Sequence, residues 1–283
     1  MANAAYGSGL NLDAMVVPVK AATVYAAQEN SLYLPGTIVP NIAVPAGSAS
    51  AQVPLMGSVT AKTISAEGTG TDPQDFDSLL PTDTKRTINL ELHAARTVLR
   101  DLGGIDTADM GRIMGNSIAT AVDKSVTKQF AFLTGQESTA TGGLDTDEIF
   151  KAVATIRGNG ENGKLFGIVS TNAYASLMAD IGSNAFAGGE FQNSAMRNGF
   201  FGNISGVECY ISSYLNDTDM GQSGKNYKMA IFSQDAVKMA SQGGVNVEVA
   251  RRPEAVGFDV VASMAQGALM IDASRGVIIE DAS

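Results

Sequence analysis

The chain has 283 residues, of which 45% are hydrophobic and 17% charged, a formal net charge of −10 and a pI near 4.6. That is room for one large core or two smaller ones, and the acidic balance argues against a protein dedicated to binding phosphate backbones. With one cysteine, Cys209, and one histidine, His93, it has no internal disulfide and no Cys/His metal cluster. No run of about 18 apolar residues is present to span a bilayer. The start, MANAAYGSGLNLDAMVV, lacks the basic and apolar regions of a secretory signal. The expectation is a soluble protein made in a reducing compartment.

In chain order, residues 1–13 are small and polar and read as an arm. Residues 13–34 place Val17, Ala21, Val24 and Tyr25 at helical spacing, with Pro18 expected in the first turn and Pro35-Gly36 as the stop. Two segments with a period of two follow. In 51–63 the apolar positions are Val53, Leu55, Val59 and Ala61; in 87–99 they are Ile88, Leu90, Leu92, Ala94 and Val98. Each predicts a strand with one buried face, which leaves His93 on the polar face with Asn89 and Glu91. The segment between them is rich in Gly, Asp, Thr and Pro and too long for a tight turn, so a long hairpin with an acidic tip is expected.

Residues 107–134 predict a long helix. Asp106 is its N-cap, Asp109 lies near its positive end, and Gly135 is its stop. Its stripe is Met110, Ile113, Met114, Ile118, Ala121, Val122, Val126, Phe130 and Leu133. Beyond it come a helix at 144–157 capped by Asp145 or Thr146, a strand at 165–169, a helix at 171–181 and a loop at 190–204. Strands are expected at 206–211, 228–232, 245–249 and 276–280. Periodicity leaves 258–270 open between strand and helix.

Four motifs invite chemical readings. GNGENGKLF, from Gly158 to Phe166, matches a phosphate-binding loop at Gly158, Gly163 and Lys164 but has Leu165 where the Mg²⁺-binding hydroxyl belongs. A phosphate loop follows a strand and opens a helix; this one follows a helix and precedes a strand, so it reads as a turn. Ser125 and Lys128 match S-x-x-K without the partner motifs. Asp217 and Asp219 are spaced as in a calcium loop whose remaining ligands are missing. His93 has no nucleophile motif around it. No catalytic constellation emerges, and no cofactor is implied. Glu67, Asp72, Asp75 and Asp77 gather in the expected hairpin tip, where they form either a solvated face or a contact for basic residues of a neighbouring subunit, with Arg251 and Arg252 as candidates.

The order of these elements (arm, helix, long hairpin, spine helix, mixed α/β remainder) resembles the major capsid proteins of tailed double-stranded DNA phages with the Hong Kong 97-type coat fold. The residues that carry the resemblance are DLGGIDTADMGRIMGNSIATAVDKSVTKQF, GNISGVECYISSYL and the ending VEVARRPEAVGFDVVASMAQGALMIDASRGVIIED. It implies an α+β fold with an N-terminal arm and helix at 1–34 and an extended loop at 48–99. It also implies a peripheral domain at 100–165 with 37–47 and 245–283, containing the spine at 107–134, and an axial domain at 166–244. The implied function is structural rather than enzymatic: hexamers and pentamers of an icosahedral head around DNA, with scaffolding, portal and decoration proteins as partners and the virion as location. Lys62 and Lys85 lie in the region that some members cross-link to a neighbour, but no partner Asn or catalytic Glu is marked. The rival within the fold is an encapsulin-type compartment shell. The rival from another class is a phosphate- or nucleotide-using enzyme built on Gly158 to Lys164.

Overall fold

The computed structural model describes residues 12–56, 83–100, 107–138, 143–183, 200–222 and 224–281. Helix α1 (Leu12–Asn30) is followed by β1 (Asn41–Ala43), the ribbon β2 (Ser50–Met56) and β3 (Asp83–Asn89), and then β4 (Glu91–Arg100). The spine helix α2 (Thr107–Gln129) tightens into a 3-10 turn at Phe130–Phe132 and leads to β5 (Thr134–Ser138). Next come α3 (Thr146–Gly158), β6 (Leu165–Ser170), α4 (Thr171–Ser183), β7 (Phe200–Ile204), β8 (Val207–Ser212) and the short α5 (Asp217–Met220). The chain closes with β9 (Tyr227–Ser233), β10 (Val237–Arg252), β11 (Gly257–Met270) and β12 (Gly276–Asp281).

The strands form a four-stranded sheet in the order β1-β10-β11-β4, a six-stranded sheet in the order β5-β12-β9-β6-β8-β7, and the β2-β3 ribbon. One face of the four-stranded sheet carries α1 and α2, to which β11 offers Phe258, Val260, Ala262 and Met264. One face of the six-stranded sheet carries α3 and α4 over Leu165, Val169, Cys209, Met229 and Ile279. Its other face receives the end of the spine. Phe130 is fully buried, its ring centroid 4.6 Å from Phe232 of β9 and 6.0 Å from Tyr33, and Phe232 is 6.5 Å from Phe166 of β6. Burial on both faces explains why β6 reads LFGIVS without alternation.

The spine has 23 residues, so it is about 35 Å long. Its near side meets α1 through Gly111 and Gly115: a Cβ on Gly115 would lie 2.5 Å from the Thr23 carbonyl oxygen and 2.8 Å from Ala26 Cβ. Gly111 faces Val19 and Ala22, Gly115 faces Thr23 and Ala26, and Asp123 meets Ser31, so the two helices run parallel.

Several expectations need correction. Pro18 lies inside α1 rather than in its first turn, and α1 ends at Asn30, before Pro35-Gly36. Much of the expected stripe of α1 faces outward: Val17 and Tyr25 are 68% and 65% exposed and only Val24 packs against the core, while Val19, Ala26 and Ala27 are buried. The close crossing selects small side chains, so the larger ones are turned outward. The spine ends at Gln129, and Gly135 is a strand residue, because Phe130 must tighten the last turn to enter the core. Within the spine's stripe, Ile113 points outward at 66% exposure.

Residues 87–99 belong to two strands rather than one: β3 pairs with β2, and β4 pairs with β11. Asn89 crosses the four-stranded sheet at Gly267, where a Cβ would lie 2.0 Å from the Asn89 carbonyl oxygen. Ile88 is therefore buried with Ala240 and Ile271, whereas Leu92 is 71% exposed where the ribbon no longer covers the sheet. His93 pairs with Met264 on the helix-covered side, half-buried, with Nε2 3.2 Å from Gln266 Oε1. Residues 200–204 of the expected loop are β7, paired with β8 around Ser205 (φ 53°) and Gly206 (φ 81°), a two-residue turn of the mirror-image kind. Residues 258–270 are strand. In the six-stranded sheet β12 lies between β5 and β9, and β10 runs from Val237 to Arg252 as one strand with a register shift between Gln242 and Asn246.

Gly115→Ala should destabilise the chain by roughly 1–3 kcal/mol, because the neighbouring backbone cannot yield. Gly158→Ala, facing open space at the end of α3, should be neutral or stabilising by up to about 1 kcal/mol. Urea unfolding of both variants checks the pair; equal effects would show that the helix crossing is not tight.

Candidate functional site: the glycine-rich turn and the arm tip

The Gly158 to Lys164 segment caps α3. The Asn159 N–H donates to the Thr155 carbonyl at 3.1 Å, and the Gly160 N–H, at φ +87°, donates to the Arg157 carbonyl at 3.0 Å. Arg157 Nη1 donates to the carbonyls of Glu161 (2.9 Å) and Gly163 (2.8 Å). Glu161 Oε1 accepts the Gly163 N–H at 2.8 Å, and its Oε2 accepts from Arg275 Nη1 at 3.0 Å. Asn159 Nδ2 ties the turn to the Ser274 carbonyl at 2.8 Å. The Lys164 ammonium sits 2.7 Å from Glu208 Oε1 and 5.1 Å from the Phe166 ring centroid. A phosphate needs inward-facing N–H groups at a helix start. Here the Gly160 and Gly163 N–H groups are spent, a carboxylate lies among them, and the helix ends.

The other motifs are structural too. Ser125 is half-buried along the spine and Lys128 is exposed. Asp219 accepts from Asn216 Nδ2 at 2.8 Å and pairs with Lys124 at 2.8 Å, and that ammonium holds its carboxyl below the ordinary carboxylate range. Asp217 Oδ1 accepts the Thr218 N–H at 2.8 Å. These contacts cap α5 and fasten it to the spine. Cys209 is buried, and desolvation pushes its thiol up to about 12, far from thiolate reactivity. The expected cap of α3 comes from elsewhere: Asp145 occupies the N-cap without a side-chain bond, while Asp180 of α4 accepts the Thr146 N–H at 2.9 Å and its hydroxyl at 2.7 Å. A distant carboxylate leaves no local sequence signal. Among the described residues, no group of three or more His, Cys, Asp or Glu is placed to hold a metal, and no helix is long and apolar enough to cross a membrane.

Glu67, Asp72, Asp75, Asp77 and Lys62 lie outside the described residues, as does Asp106. Lys85 is exposed on β3. Arg251 and Arg252 stand at the end of β10, where Pro253–Ala255 turns the chain into β11; this turn is the tip of the β10-β11 arm. Arg251 lies over the Phe258 ring at 5.0 Å, and Arg252 is 3.9 Å from Glu254. Val256 closes this turn at φ +47° with its side chain 60% exposed, an unfavourable conformation for a β-branched residue. Behind the tip, Arg96 of β4 grips Asp259 with Nε at 2.8 and 2.9 Å from the two carboxylate oxygens and Nη2 on Oδ2, and holds that carboxyl below its usual range. The tip is thus a braced, partly basic projection.

No protein-family model matches the chain, and no curated protein matches it. Solved structures do. The capsid of cyanophage P-SCSP1u aligns with a TM-score of 0.65 over 87% of this chain and 87% of that one, at 16% identity. The mature capsid of bacteriophage PhiM1 aligns at 0.62 over 90% and 88%, at 14% identity. The virus-like particle of Pyrococcus furiosus aligns at 0.63 over 93% and 98%, at 11% identity. The chain therefore has the mixed helix-and-sheet fold found in phage capsid structures, over nearly its whole length.

The turn's geometry predicts no saturable ATP binding by the wild type and an unchanged result for Lys164→Ala, measured by isothermal calorimetry. Because its ion pair is partly exposed, Lys164→Ala should change stability by less than about 1 kcal/mol. Affinity that is present in the wild type and lost in the variant would restore the enzymatic reading.

Proposed function

We propose that this chain is the structural subunit of an icosahedral phage head, a Hong Kong 97-type major capsid protein that assembles with copies of itself and has no turnover. The observation that carries this reading is the alignment with two phage capsids and a virus-like particle over 87% or more of both chains. A fold alone does not define a function, but agreement over the full length leaves little of the chain for another site. The glycine-rich turn, the one enzymatic candidate, is used up internally. The net charge of −10 suits an inner wall that encloses DNA without gripping it.

In this reading, the four-stranded sheet with α1 and the spine is the peripheral part and the six-stranded sheet with α3 and α4 is the axial part, around which hexamers and pentamers close. The β2-β3 ribbon is the base of the extended loop. Its acidic residues Glu67, Asp72, Asp75 and Asp77 dock on Arg251 and Arg252 of an adjacent copy. Scaffolding, portal and decoration proteins are the further partners, assembly is in the host cytoplasm, and the virion is the final location. The likeness to the Pyrococcus furiosus particle supports a second reading, a compartment shell without a viral genome.

Light scattering after size exclusion, with negative-stain microscopy, should find closed shells or rings of five and six subunits. A stable monomer under crowding and with scaffold would overturn the proposal. Nuclease-protected DNA inside particles from producing cells separates a head from a compartment. Deletion of residues 66–82, or the double change Arg251→Glu and Arg252→Glu, should leave a folded subunit that forms no shells. Normal shells from both would sink the loop-docking scheme.

A further inference from the structure

One buried carboxylate belongs neither to the glycine-rich turn nor to the arm tip. Asp123, on the spine, is 4% exposed where the chain leaves α1. The Ser31 hydroxyl donates to its Oδ1 at 2.6 Å and the Leu32 N–H to its Oδ2 at 3.1 Å. Ser31 Oγ in turn accepts the N–H groups of Tyr33 (3.3 Å) and Leu34 (3.1 Å). The turn that ends α1 is thus organised around a carboxylate 92 positions away. These partners are all neutral dipoles. From the turn, the Tyr33 phenol faces the same interior, bonded to Thr127 of the spine at 3.4 Å, and burial, with a smaller push from the carboxylate, drives its ionisation up. From the spine, the adjacent cation Lys124 is directed away, onto Asp219 and the Tyr214 ring. Desolvation dominates at Asp123 and holds its carboxyl above the ordinary range, while the bonds from Ser31, Leu32 and Tyr33 pull it only partly back.

We propose that the Asp123–Ser31 contact is a proton-sensitive clasp that sets how firmly α1 is held on the spine. Detachment of α1 returns Asp123 to water and to an ordinary carboxylate pKa. The docked carboxyl binds its proton more tightly than the released one, so protons favour docking. The stabilisation is fully present below the ordinary carboxylate range and is lost as pH rises through the docked group's raised pKa, above which a charge must stay buried. The consequence reaches the surface. Docked, α1 presents Val17 and Tyr25; released, it uncovers Val19, Ala26 and the Gly111–Gly115 side of the spine. Acidity therefore selects which apolar surface a copy shows to other molecules.

The test is amide hydrogen exchange on the full-length chain between about pH 7.5 and about pH 4.5, corrected for intrinsic rates, reading α1 together with Tyr33 and Leu34 and using α3 as the internal reference. In the wild type, protection of α1 relative to α3 should rise on acidification, approaching tenfold for each pKa unit by which docking raises the carboxyl. Asp123→Asn should flatten that dependence. Ser31→Ala removes a bond that favours the ion, so its midpoint should move to higher pH. Protection that falls on acidification, an Asp123→Asn profile that matches the wild type, or a Ser31→Ala midpoint that stays put would each overturn the clasp. The measurement is made within one subunit, so its failure leaves the shell reading untouched, and failure of the shell reading leaves the clasp standing.

Discussion

The architecture depends on the seating of Phe130 between Tyr33 and Phe232 of the six-stranded sheet. It is the aromatic residue of the spine's apolar stripe, and its ring lies 4.6 Å from Phe232 and 6.0 Å, edge-to-face, from Tyr33. Burying a phenyl ring of this kind contributes about 1.5–3 kcal/mol through the apolar area alone, and tilted ring contacts of this sort add about 0.5–1.5 kcal/mol. To reach that position the backbone gives up its α-helical pitch and tightens to a 3-10 turn, which delivers the chain directly into β5. One side chain therefore ends the rod, fills the joint and sets the entry of an edge strand.

With the far end of the rod fixed in this way, the near end is free to be specified by α1. Parallel helices in contact gain nothing from their macrodipoles, so the association rests on surface fit. Gly111 and Gly115 allow backbone-to-backbone approach along two turns, and Asp123 then organises the exit of the chain through Ser31 and Leu32. Exposed apolar side chains include Val17 and Tyr25 on α1, Leu92 on β4, Ile113 on the spine and Val256 at the β10-β11 turn.

Much of this was legible in the sequence wherever a local rule suffices. The turn reading of Gly158 to Lys164 followed from element order, and the structure shows Arg157, Glu161 and Arg275 using up its polar groups. The spine followed from a stripe expected to run to Leu133, although the α-helix itself ends at Gln129. What could not be read were features in which a residue's surroundings come from far along the chain. Asp180 caps α3 from α4, Glu208 takes up Lys164, and Asp123 organises the turn after α1; none of these pairs has a spacing signature. The arm-tip residues Arg251 and Arg252 were singled out by charge alone, and their bracing by Phe258 and Glu254 depends on the β10-β11 turn.

The sequence by itself determined the periodicities, and with them the rod and most element types, because backbone sterics and amphipathic spacing act within a few residues. Only the tertiary structure decided which apolar face is the inner one. In α1, Val17 and Tyr25 compete with Val19 and Ala26, and the small residues win the inside because the spine offers glycines there. Along 87–99 the same alternation faces a core at Ile88 and solvent at Leu92, because the chain crosses the sheet at Gly267 between them. Periodicity defines faces; burial is assigned by what the rest of the chain brings against them.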